Sequence, residues 1–169
     1  PENLNLVGFE PAKNIDYIDK GKNIKVIPNY FNVKNFKENI NKKVKIITSC
    51  AMFYDLENPK IFVKDVEEIL DEHGVWCVQI SYLLLMIKNM NFYDICHEHL
   101  SYHSLKSFET LIKKFNLKVF NAEINEVNGG SIRLYVCKKN CNKYDKLNFK
   151  KNITGLRIEE KKYKLEEKN

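Results

Sequence analysis

The sequence predicts an α/β fold built on a mostly parallel sheet. Three observations predict it. Short apolar runs rich in β-branched residues recur along the chain, longer stretches with helical apolar spacing lie between them, and two final runs are joined through Asn128-Gly129-Gly130. Residues 4–10 (LNLVGFE) read as a strand that ends on an acid before Pro11. Residues 12–21 read as a short helix with Gly21 as its carboxy-terminal cap. Residues 24–28 (IKVIP) and 44–49 (VKIITS) are the second and third strands. Residues 59–72 place Ile61, Phe62, Val66, Ile69 and Leu70 on one helical stripe, which His73-Gly74 closes before a fourth strand at 75–81 (VWCVQIS). Residues 104–116 open on a Ser cap and keep Leu105, Phe108, Leu111, Ile112 and Phe115 on one face. Residues 117–124 and 132–136 are the last strand pair, its glycines suited to a tight connection.

The chain has 169 residues, 44% hydrophobic and 30% charged, with a formal charge of +6. That length suits one modest domain, and a mean hydropathy of -0.44 excludes a membrane-embedded bundle. Residues 1–137 carry 17 basic and 17 acidic side chains, so the excess charge lies in residues 138–169, with 11 and 5. A neutral body gives no footprint for nucleic acid. Five cysteines (Cys50, Cys77, Cys96, Cys137, Cys141) lack disulfide-framework spacing, and reduced thiols in a cytoplasmic protein are expected. The most apolar stretch, residues 75–87, is too short to span a bilayer. Residues 158–168 read as a solvated helix or frayed tail.

Ligands of open α/β sheets bind beyond the carboxyl ends of the strands, and three segments fall there. Glu10, at the end of the first strand, suits a ribose diol, with a solvated strand-end glutamate as the plain alternative. Residues 49–56 (SCAMFYDL) bring Phe53, Tyr54 and Asp55 to the same edge, where Phe53 also reads as core and Asp55 as a cap. The third is Cys96-His97-Glu98-His99, inside residues 92–103. Three of the chain's four histidines cluster there around a carboxylate, the residue types that move protons near neutral pH. A zinc hydrolase is the competing reading, but Ser101 stands where the second histidine of His-Glu-x-x-His belongs, so no metal site is expected.

Residues 47–136 resemble the SAM-dependent C-methyltransferases that act on nucleotide-linked deoxysugars. The likeness rests on SCAMFYDL (49–56), DEHGVWCVQISY (71–82), ICHEHL (95–100), YHSL (102–105) and NGGSIRLYV (128–136), and GFEPA (8–12) is similar to that family's second-strand segment. The resemblance implies a class I methyltransferase sheet, Rossmann-like, with helices on both faces and a final antiparallel strand pair. It implies that Glu10, Asn29, Ser49 and Cys50 bind SAM. It implies that His99 is the base, helped by Glu98, His97 and Tyr54, and that Cys96, Tyr82 and Asn128 line the pocket of a small-molecule substrate. Residues 1–137 are then a partial methyltransferase core, and residues 138–169 a basic linker or helix leading toward a further region. Two departures stand out: Cys96 replaces a usual tyrosine and Tyr54 a frequent histidine. The family's first strand and glycine-rich loop have no counterpart before Leu4, so an internal fragment that binds SAM weakly on its own is expected. A non-catalytic remnant or interaction domain of the same fold is the alternative.

Overall fold

The computed structural model describes residues 4–12 and 24–165, in two units, one within residues 1–42 and one within residues 43–169. In the first unit, strand β1 (Leu6–Phe9) pairs in parallel with β2 (Ile24–Ile27), Leu6 opposite Ile24 and Phe9 opposite Ile27. The helix expected at 12–21 lies almost wholly outside the described residues. A helix the sequence reading missed, α1 (Val33–Asn39), follows; Asn32 caps it by accepting from Asn35 N–H at 2.8 Å. It has one buried side chain, Phe36, which is too little periodicity to register as a stripe.

The second unit is a four-stranded sheet in the order β3-β4-β6-β5, formed by β3 (Val44–Cys50), β4 (Leu70–Ser81), β5 (Leu117–Asn125) and β6 (Ser131–Lys138). Only β3 and β4 are parallel; β6 runs antiparallel to both its neighbours. The sheet is therefore mixed rather than mostly parallel, because the tight 127–130 turn sends β6 back between β4 and β5. Helix α2 (Pro59–Ile69) starts at a Pro in its first turn behind Asn58 and ends earlier than its apolar stripe suggests. Leu70 instead pairs with Val44, and the next paired residue on β4 is Val75, opposite Ile46. The excursion between them closes tightly at Gly74, where a Cβ would lie 2.9 Å from the Val44 carbonyl oxygen and 2.7 Å from Leu70 Cδ1. A strand signal broken by Asp71-Glu72-His73 is invisible to an alternation count.

Helices α3 (Leu83–Asn89) and α4 (Leu105–Ile112) come next, and α4 has the expected Ser104 cap as a reciprocal box with Ser107. The core is aromatic: Phe53, Trp76, Tyr82 and Phe108 are fully buried, and the Phe53 ring lies 5.9 Å from Trp76 and 5.4 Å from Phe108. Burying each such side chain contributes roughly 1.5–3 kcal/mol, so this cluster anchors β4 to α4. Helix α5 (Lys150–Lys162) packs on β5 and α4 with Ile153 and Glu160 buried. Part of the basic carboxy-terminal segment is thus docked against the domain, which its composition alone does not reveal.

The 127–130 turn is built on backbone that glycine tolerates. Asn128 is left-handed at φ 53, Gly129 has φ 74, and a Cβ on Gly129 would sit 1.8 Å from the Tyr93 hydroxyl. Gly129→Ala is expected to destabilise by about 1–3 kcal/mol, through strain and displacement of Tyr93. A urea melt within about 0.5 kcal/mol of the parent's would contradict that close approach.

Candidate active site

The candidate site grows from the carboxyl ends of β3 and β4. At the end of β3, Ala51 turns left-handed (φ 52) while its N–H donates to the Gln79 carbonyl, so the chain leaves the sheet sharply. The short turn Phe53–Asp55 follows, with Phe53 driven into the aromatic core. That anchoring places Tyr54, 6% exposed, against the ring of His99, with centroids 4.3 Å apart at 53°. Ser101 N–H donates to the Tyr54 carbonyl at 3.0 Å, tying the histidine-bearing loop to this turn.

Around Tyr54 stand Ser81, Asp94 and Asn128. Burial pushes the Tyr54 hydroxyl above its ordinary pKa, the charges of Asp55 and Asp94 push the same way, and the Ser81 and Asn128 side chains pull it down. Ser81 Oγ lies near enough to the hydroxyl to lower its pKa but does not meet hydrogen-bond geometry with it. Among the described residues it is one of three buried side-chain atoms, with Asp94 Oδ2 and His99 Nδ1, that have no hydrogen-bond partner. Burying a polar atom unpaired is costly, so such atoms mark places where a polar ligand gains contacts. All three belong to residues acting on or touching Tyr54. Asp55, at the rim, is raised by partial burial against the opposing pull of His99.

The other expected site residues fall in three groups. His97 and Glu98 sit at the surface, with side chains 91% and 61% exposed, and pair with each other at 3.1 Å rather than with His99. The Glu98 carboxyl lies below its ordinary pKa, chiefly through its own backbone N–H, with smaller pulls from the Cys96 thiol and the two flanking histidines. Cys96 is half-buried and His99 N–H donates to its carbonyl at 3.3 Å. Tyr82 does not line the site: it is fully buried and its hydroxyl donates to Glu160 at 2.8 Å, because α5 brings a carboxylate to it. Ser49 is also occupied, its Oγ accepting from Trp76 Nε1 at 2.9 Å, while Cys50 is exposed at the end of β3. In the first unit, Glu10 stands at the carboxyl end of β1 with Oε1 accepting from Ala12 N–H at 2.9 Å, which fixes the carboxylate at the strand end. Asn29 is exposed beyond β2 and accepts from Tyr30 N–H through Oδ1.

Sequence reasoning missed Ser81 and Asp94. The only hint was position: Ser81 ends an apolar strand at its carboxyl end, and Asp94 lies in the histidine-rich run itself. Among the described residues no three His, Cys, Asp or Glu side chains gather as a metal-binding group, and no helix is long and apolar enough to cross a membrane.

His103 is held apart from the open site. It is buried against Phe53 (5.3 Å between centroids), its Nε2 lies 2.9 Å from Ser101 Oγ, and burial holds its pKa below the ordinary value. The unfolded chain therefore takes up a proton at this imidazole before the folded chain does. Stability is full above about pH 6.5 and falls as the pH drops below it. Urea midpoints at about pH 7 and pH 5 should show this loss, and His103→Gln should flatten it; an equal slope in the variant would assign the loss to other groups.

No protein-family model matches the chain. It is 28% identical over 132 residues to the C-methyltransferase NovU of Streptomyces niveus, a match covering 77% of this chain and 31% of that protein. The chain thus spans about a third of the length of that relative. Among solved structures it is similar to an S-adenosylmethionine-dependent methyltransferase from Clostridium acetobutylicum ATCC 824, with a TM-score of 0.58 and 14% identity over 80% of this chain and 75% of that one. It is also similar to LepI in complex with SAM, with a TM-score of 0.57 and 10% identity over 81% and 37% of the two chains. The chain has the α/β fold of class I SAM-dependent methyltransferases, and in sequence it resembles a C-methyltransferase.

Proposed function

We propose that this chain is part of a SAM-dependent C-methyltransferase that adds a methyl group to the carbon beside a ketone of a nucleotide-linked sugar. The observation that supports this reading best is the Tyr54–His99 pair, with an unpartnered imidazole nitrogen on one ring and a buried hydroxyl on the other. The likeness to NovU gives the reaction class, carbon methylation.

SAM, when bound, supplies an electrophilic methyl group. From the resemblance alone we assign Glu10 to the ribose hydroxyls of SAM, Asn29 to its base, and Ser49 and Cys50 to its methionine portion; within the first unit Glu10 is fixed at the end of β1. Ser49 meets that portion through its backbone, since its hydroxyl is engaged by Trp76. His99 would take the proton beside the ketone, leaving an enolate on the substrate; bound SAM would supply the methyl group to that carbon, its S–CH3 bond breaking and S-adenosylhomocysteine leaving. The Tyr54 hydroxyl, kept protonated by its raised pKa, donates to the developing oxyanion. His97 and Glu98, exposed beside His99, meet the sugar's outer hydroxyls, and Cys96 and Asn128 border the same space.

Proton abstraction is testable apart from methyl transfer. The protein as its gene encodes it, incubated in deuterated water with S-adenosylhomocysteine and a nucleotide-linked keto-sugar, should exchange the hydrogen beside the ketone. Exchange no faster than in buffer would remove the enolate step from this reading.

A further inference from the structure

A groove of about 760 Å³ runs between α4, the turn after it, β5 and α5, and shares no residue with the Tyr54 site. Its apolar surface comes from half-buried Val119 and the methylene stems of the lining lysines, since Ile112 and Leu117 beneath them are buried. Its rim is basic. Lys106, Lys113, Lys114 and Lys139 are exposed around it and take part in no ion pair among the described residues. Two further rim cations are already neutralised: Arg157 by Glu109 at 2.6 Å and Lys118 by Asp145 at 3.3 Å.

The four remaining lysines come from three separate segments: α4, the turn after it and the end of β6. Folding therefore gathers Lys106, Lys113 and Lys114, from the charge-balanced residues 1–137, with Lys139 of the basic carboxy-terminal segment. Like charges gathered around an apolar surface repel one another and favour an anionic ligand that also offers apolar contact. None of the lining side chains is aromatic, which disfavours single-stranded nucleic acid, whose bases need stacking partners. The apolar surface is recessed, whereas a membrane-binding face projects its apolar side chains outward.

We propose that this groove is a docking site for an acidic peptide segment of a partner protein, with aliphatic side chains against Val119 and the lysine stems and Asp or Glu residues against the lysine rim. The volume is within the range of pockets that hold compact ligands, enough for a few side chains rather than a whole domain. Binding should be fast and salt-sensitive, since most of the rim charge is exposed.

The test is fluorescence polarisation of the full chain with a fluorescein-labelled peptide of repeated Leu-Glu-Glu. Saturable binding is expected, weakened about tenfold in the double variant Lys113→Glu/Lys114→Glu. The double variant Lys60→Glu/Lys64→Glu on the exposed face of α2 has the same net charge and should bind as the parent does. A Ser-Glu-Glu peptide should bind more weakly than Leu-Glu-Glu, reporting the apolar contact. All four lysines are exposed, and unchanged melting curves establish that both variants fold. No saturable binding, equal weakening by both double variants or equal affinity for the two peptides would overturn the proposal. So would tighter binding of single-stranded RNA or phosphatidylserine vesicles with the same Lys113 and Lys114 dependence.

Discussion

On the proposed function, His99→Ala in the protein as its gene encodes it is expected to abolish methyl transfer while leaving the fold intact. Removing a positioned general base typically costs about 10²–10⁴-fold in turnover, and neither neighbouring histidine is placed to replace it. His97 is engaged with Glu98 at the surface, and His103 is buried in the aromatic core with its Nε2 beside Ser101. His99 is half-buried and touches Tyr54 through one ring face, so the variant loses a contact but opens no core cavity. Melting curves should remain near those of the parent protein, and SAM affinity should be retained. Turnover within a few fold of the parent would assign the proton to another residue. Tyr54→Phe provides a second reading, because it keeps the ring against His99 and removes only the hydroxyl.

Glu160→Ala is expected to have the largest effect on stability. The Glu160 carboxylate is fully buried and accepts three hydrogen bonds: from the Tyr82 hydroxyl at 2.8 Å, Leu105 N–H at 2.5 Å and Lys106 N–H at 3.1 Å. The two backbone donors are the first N–H groups of α4, where helical hydrogen bonding has not begun and the helix dipole favours negative charge. One side chain thus joins α5, α4 and the end of β4. Burial and the Glu160 charge together hold the Tyr82 hydroxyl far above its ordinary pKa, so it stays a donor throughout the accessible pH range. Truncation leaves two buried donors and one part-buried donor unpaired, at a cost of about 3 kcal/mol or more. Tyr82→Phe removes one donor and should cost about 1 kcal/mol, and in the double variant the two losses should not add. A loss below about 1 kcal/mol for Glu160→Ala would mean that α5 is not held by this carboxylate.

What the sequence made legible follows from range. Elements set by local pattern were readable: the β-branched run of β3, the Ser104 cap of α4 and the Asn128-Gly129-Gly130 reversal all lie where periodicity and turn chemistry put them. The cluster of His97, Glu98 and His99 was visible, but the direction of each side chain was not. A loop carries no period from which to tell that His99 turns toward Tyr54 while His97 turns to water. Ser81 and Asp94 escaped notice because single polar residues become informative only when folding buries them without partners. Tyr82 was misjudged for the opposite reason. Its partner Glu160 lies 78 positions away in a segment whose composition suggested a solvated helix. The lysine rim is likewise a tertiary feature, three of its lysines dispersed in a body of balanced charge and the fourth, Lys139, in the basic segment that follows.

The reading as a whole turns on where a methyl group goes. The protein as its gene encodes it should be incubated with SAM carrying an isotope-labelled methyl group and a nucleotide-linked keto-sugar, and the product read by NMR. The labelled methyl is predicted on the carbon beside the ketone, with transfer lost in His99→Ala. Label found on oxygen or nitrogen, or remaining entirely on SAM, would contradict a carbon methyltransferase built around Tyr54 and His99.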